Sequence, residues 1–328
     1  MGLRNDEKVL VVTDVPRIND WINIDSSFLR SFVIRCLLAK AVYEIACEAF
    51  PNNYIEFYVY PCTGRHGAEP GEEVAKKLKE FDVVIALTTY SLSHTKAREE
   101  ATKAGARIAS MPGFLPEMFY PGGPMSVDYM EVKVESEKLA ELLTKASEAR
   151  VISPGGTDIS FSLKGRVGEA DTGLYIERGE WGNLPAGEAY IAPVEGTANG
   201  KLVVEKGWYP GLTENMTFVF RDGDVVEVSG GGKIGDYFRE TLKPDVNEEP
   251  YKSRRNLAEL GIGTNPNAKR PDNVLEAEKI KGTVHIAVGD NSHIGGVVST
   301  DLHEDFIIPK PTLYLGNKLI MKDGKLLI

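Results

Sequence analysis

Cysteine is scarce in this 328-residue chain: Cys36, Cys47 and Cys62 are odd in number, lie in one region and form no C-x-x-C pair. That disfavours a disulfide framework and a thiolate metal site, and it fits a reducing cytosol. Long apolar runs are missing too. No uncharged stretch approaches the ~20 residues that a membrane helix needs, and the N-terminus turns charged at Arg4-Asn-Asp-Glu-Lys8, where a secretory signal would turn apolar. Positive charge is in deficit, with a net charge of -10, so neither nucleic acid nor an acidic membrane is an expected partner. Two nucleotide signatures are also absent. Gly230-Gly-Gly-Lys-Ile-Gly235 lacks the spacing of a G-x-G-x-x-G turn and the hydroxyl residue that follows a phosphate-loop lysine. Ser160 and Ser162 have no G-x-S-x-G around them, which leaves a serine nucleophile without support.

Hydrophobic residues at 42% and charged residues at 26% are ordinary for a globular protein, and the length suggests about two domains. The first part alternates. Apolar runs at Lys8–Val12, Tyr54–Tyr60, Asp82–Leu87 and Arg107–Ser110 read as strands. Between and after them, helical spacing predicts helices over Ser26–Phe50, Glu72–Phe81, Thr95–Gly105 and Val134–Ala149. The period implies an α/β N-terminal domain, residues 1–150, with an open, largely parallel sheet. From Ser153-Pro-Gly-Gly onward the texture changes to short strands, glycines and polar turns, with Asp222-Gly, Gly316-Asn and Asp323-Gly as hairpin signals. Residues 151–328 therefore read as a β-rich α+β domain, with helices expected around Asp236–Leu242, Lys252–Leu260 and Asp272–Lys281.

Only five histidines occur, and three of them (His285, His293 and His303) fall in one late stretch. On a strand, His303 and Asp305 share a face while Glu304 points away. With His285 on a neighbouring apolar segment they form a two-histidine, one-carboxylate set suited to zinc, manganese or ferrous iron. The plain alternative is a half-exposed strand with satisfied polar residues. Glu188, in Leu184-Pro-Ala-Gly-Glu, and Glu259, in Ala258-Glu-Leu-Gly-Ile-Gly, lie in apolar, glycine-rich sequence. A charge is costly there unless a cation or donor compensates it; otherwise each is a surface or capping glutamate.

The ordered set Leu-Pro-x-Gly-Glu188, Ala-Glu259-Leu-Gly-Ile-Gly, His285-Ile-Ala-Val-Gly and His303-x-Asp305-Phe resembles the metallo-aminopeptidase family of aminopeptidase T and aminopeptidase S. The resemblance implies a hydrolase that removes N-terminal residues from peptides. It further implies two divalent ions (zinc, cobalt or manganese) held by Glu188, Glu259, His285, His303 and Asp305 in the C-terminal domain, and a homodimer. One feature departs from that pattern. The family carries a tyrosine seven residues after its first histidine, where this chain has Ser292 followed by His293, and the interval from His285 to His303 is short. In this respect the chain is similar to the related 2,5-dihydroxypyridine 5,6-dioxygenase branch, for which the resemblance implies one ferrous ion on His285, His303 and Asp305 and a small aromatic substrate. The segment Thr88-Thr-Tyr-Ser-Leu-Ser-His94 also resembles this group, and it follows a strand at the carboxyl end, where open α/β sheets place ligands. His94 is accordingly a candidate substrate contact or proton carrier, or simply a helix-start residue.

Overall fold

The computed structural model describes residues 1–328, which divide into two compact units. The first comprises Met1–Ser126 and Gly173–Pro185. Its sheet runs Ile55–Pro61, Val9–Val15, Val83–Ala86, Arg107–Ser110 and Trp181–Asn183, with every pairing parallel. Leu10, Val12, Val84, Ala86 and Ile108 fill the core between this sheet and its helices. The apolar character of the central strands Val9–Val15 and Val83–Ala86 follows from their burial on both faces. The long helix spans Ser26–Ala49, and the Asp25 side chain caps it by accepting the Ser27 N–H.

The second unit comprises Val127–Thr172 and Ala186–Ile328. The boundary therefore falls before the helix Tyr129–Lys145 and not at residue 150, because Leu139, Ala140 and Leu143 of that helix are buried in the second unit's core. Residues 173–185 return to the first unit, where they supply its last strand. The second unit holds an eight-stranded sheet and a five-stranded sheet. The five-stranded one is ordered His303–Pro309, Thr283–Gly289, Leu257–Gly263, Glu188–Ile191, Glu169–Asp171, and all its pairings are antiparallel. Both sheets share one core, in which the rings of Phe218, Phe238 and Phe306 meet at centroid distances of 4.6 to 5.8 Å. The hairpin signals are real turns: Asp222-Gly223 and Asp323-Gly324 take positive φ at both residues, as tight two-residue connections require. No helix is long and apolar enough to cross a membrane.

Two expected helices are corrected. Lys252–Leu260 contains only the short helix Tyr251–Arg254, after which the chain becomes the strand Leu257–Gly263. Asp272–Lys281 contains a single turn, Val274–Ala277. The first misreading has a physical cause. Leu257 pairs with Val288 and Glu259 with Ala287, so Ala258 is the extra residue of a β-bulge. The bulge puts Leu257 and Leu260 on the core face at helical spacing, and it leaves Glu259 on the other face.

Candidate metal centre

The five-stranded sheet has an apolar face and a polar face. Leu260, Ile262, Val284, Ile286, Val288, Phe306 and Ile308 point into the shared core. The alternate residues line the other face in rungs, because residues directly opposite on antiparallel strands share a side. Asp171, Glu188 and Gly263 form one rung, and Tyr190, Gly261 and His285 the next. Glu259, Ala287 and Asp305 follow, then Gly289 with His303. Strand periodicity thus brings all five candidate ligands to one surface. Small residues in the middle of the rungs leave room for them. A Cβ on Gly261 would lie 1.9 Å from His285 Nε2, so the imidazole lies directly over that glycine.

Glu259 is the hub. Its Oε1 is 3.2 Å from His285 Nε2, and its Oε2 is 3.3 Å from His303 Nε2. His285 Nε2 also lies 3.4 Å from Glu188 Oε2, and His303 Nε2 lies 3.7 Å from Asp305 Oδ1. Two triples hold ligand atoms within 4.8 Å of one another: Glu188, Glu259 and His285, and Glu259, His293 and His303. His293 therefore joins the candidate set. His303 Nδ1 is 2.7 Å from the Asp290 carbonyl oxygen, which can only accept, so Nδ1 carries a proton and Nε2 faces the centre. Asp290 also accepts from His293 Nδ1 at 2.9 Å, and the His293 and His303 rings meet edge-on at 5.0 Å.

The electrostatics of the cluster favour positive charge. Burial opposes charge on both histidines, yet the surrounding carboxylates outweigh it. His285 is raised to about 9 and His303 well above its ordinary value. Burial likewise works against ionised Glu259, but the hydrogen bonds from both histidines hold it well below the usual carboxylate range. Asp305 is lowered, with burial opposed mainly by His303. The carboxylates thus favour a positive charge at each imidazole. Glu188 Oε2, Asp305 Oδ1 and His285 Nδ1 are buried without hydrogen-bond partners. Orphaned carboxylate oxygens beside histidine nitrogens are a donor set that fits a divalent ion.

His94 belongs to the first unit, where it is exposed just before the helix Lys96–Lys103, its ring edge-on to Trp181 at a centroid distance of 6.4 Å. Glu304 points away from the centre, as its strand position predicts; its carboxylate accepts from the Tyr209 hydroxyl at 2.8 Å, and burial raises it to about 7. Sequence reasoning missed Lys279, Glu278, Asp171 and Asp290. Nothing in Glu276-Ala-Glu-Lys-Ile-Lys distinguishes Lys279 from a solvated helix face, yet its side chain is 1% exposed.

The chain matches the NicX family, described as 2,5-dihydroxypyridine 5,6-dioxygenase, over residues 3–328. A 2,5-dihydroxypyridine 5,6-dioxygenase of Pseudomonas putida KT2440 is 25% identical over 266 residues, which span 76% of this chain and 72% of that protein. The solved 2,5-dihydroxypyridine dioxygenase structure from the same organism superposes with a TM-score of 0.72 at 19% identity, covering 98% of this chain and 92% of that one. Wild-type AmpT from Thermus thermophilus superposes with a TM-score of 0.62 at 16% identity, covering 99% and 95%. Both superpositions show a shared fold.

Proposed function

The chain belongs to the NicX family, and from that premise we propose that it is a mononuclear, non-haem ferrous dioxygenase that opens the ring of a dihydroxylated aromatic such as 2,5-dihydroxypyridine. The aminopeptidase reading shares the fold, but family membership and the curated relative favour ring cleavage. The observation that carries the proposal is the polar face itself, where His285, His303 and Asp305 stand together beside Glu259.

In this reading His285, His303 and Asp305 would hold the ion as a two-histidine, one-carboxylate set. A ferrous ion bound there would supply electrons toward dioxygen and a Lewis-acidic point for a ring hydroxyl. Both oxygen atoms enter the product as one ring carbon–carbon bond breaks, so no external reductant is consumed. The remaining work falls to the chain. The Asp290 carbonyl orients His303 through Nδ1–H. The Asp290 carboxyl is lowered to about 2, with burial outweighed chiefly by the His293 hydrogen bond, so it stays ionised and orients the half-buried His293. His293, edge-on to His303, accepts the proton that a ring hydroxyl gives up on binding.

The test is metal analysis of protein purified anaerobically without added metal. One iron per chain is expected, lost in His303→Ala. About two zinc, cobalt or manganese ions per chain, with cleavage of aminoacyl peptides, would overturn the proposal.

A further inference from the structure

Lys279 is buried to 1% exposure and lies against the metal-binding face. A lone buried ammonium would be expensive, and three carboxylates surround this one. Its Nζ donates to Glu188 Oε1 in a very short contact, and it lies 2.9 Å from Glu278 Oε1 and 3.6 Å from Asp171 Oδ2. The other oxygen of Glu188 faces His285 Nε2 at 3.4 Å. Glu188 therefore spans from the ammonium to a candidate ligand histidine. A second metal ion at this rung would find only one oxygen of Glu188 uncommitted, because the ammonium already holds the other and lies among Glu278 and Asp171 as well.

The lysine is fixed in place by its backbone. Asn265 N–H donates to the Lys279 carbonyl at 2.9 Å, and Lys279 N–H donates to the Glu276 carbonyl at 3.1 Å. The chain then crosses the sheet over Gly263, where a Cβ would come within 2.1 Å of the Ile280 carbonyl oxygen. Any side chain at residue 263 would push the lysine's segment off the face. A glycine at the crossing and three acids around the ammonium make a built cation position.

We propose that Lys279 is an internal cation that fills the place of a second metal, restricts the centre to one ion and withdraws Glu188 from the ligand set. This inference rests on the metal-centre reading above. Its chemical consequence is direct. Two-metal hydrolysis needs a second Lewis acid to share the attacking water, and an ammonium tethered among carboxylates cannot supply one. One side chain thereby separates single-ion chemistry from two-ion chemistry on this sheet.

Equilibrium dialysis against manganese(II), followed by elemental analysis, reads the stoichiometry without oxygen chemistry. Wild type should bind one ion, Lys279→Ala two, and Glu188→Gln one with affinity close to wild type. A folded Lys279→Ala that binds a single ion overturns the inference, as does a wild type that binds two. A Glu188→Gln protein weakened about tenfold or more would show that Glu188 serves the metal and not the lysine. If Lys279→Ala folds only with manganese present, two bound ions support the inference; if it never folds, Glu188→Gln decides. A wild type that binds one manganese yet shows no ring cleavage with iron removes the dioxygenase reading and leaves this inference standing. A wild type that binds no metal removes both.

Discussion

In the metal-free chain His285 keeps its proton up to about pH 9, because Glu259, Glu188 and Asp305 outweigh the burial that opposes the charge. The sign of the consequence is fixed by linkage. A histidine raised on folding contributes stability that is fully present below its unfolded value, roughly 6.5, and that is lost as pH rises through the folded value. His303 is raised in the same direction. Chelator-treated protein should therefore lose stability to urea between pH 6.5 and about 9. Metal uptake below pH 9 should release protons, because the ion displaces them from the imidazoles. Stability that is flat or rising over that window, with no proton release, would show that the two rings are neutral without metal. The same residues show what one sequence can disclose. His285, His303 and Asp305 stood out because histidine is scarce and because i, i+2 spacing puts a pair on one face. Lys279 did not stand out, since its burial depends on Asp171 and Glu188, distant in sequence and brought beside it only by sheet register.

The strand Leu257–Gly263 is the element on which the centre is assembled. It presents Glu259 to both histidines, and two glycines let neighbouring groups lie flat against it. Gly261→Ala should shift His285 while leaving the core face of the strand intact. Loss of an orienting contact of this kind typically costs about tenfold to a hundredfold in metal affinity. Calorimetric titration with manganese checks it, and an unchanged affinity in a folded variant would mean that His285 is not a ligand. This strand was also the least legible element in the sequence. The bulge at Ala258 turns a strand's alternation into leucines three apart, which is helical spacing, and sequence periodicity cannot register a residue that belongs to no rung. Four strands of the first unit were legible because they are short apolar runs separated by amphipathic helices; the fifth, Trp181–Asn183, was not, because it returns from sequence that otherwise belongs to the second unit. The boundary between units was not, because the helix Tyr129–Lys145 follows the α/β pattern in sequence yet buries Leu139 and Leu143 in the second unit.

At the scale of the whole molecule, one fold accommodates relatives named for different reactions, a dioxygenase and AmpT, so the fold does not choose the chemistry. The motif order along the chain pointed first to the aminopeptidase, and only Ser292 and the short interval from His285 to His303 pointed to the dioxygenase branch. In the proposed reading the choice lies in the second unit's polar face: a histidine–histidine–aspartate set, the Asp290–His293 pair beside it, and a lysine among three carboxylates. The most direct test of single-iron oxygen chemistry is oxygen uptake by ferrous-reconstituted protein, measured against loss of 2,5-dihydroxypyridine. The account predicts one dioxygen consumed per ring opened, abolished in His303→Ala. Ring loss without oxygen uptake, or no ring loss alongside oxygen-independent cleavage of a peptide, would contradict it.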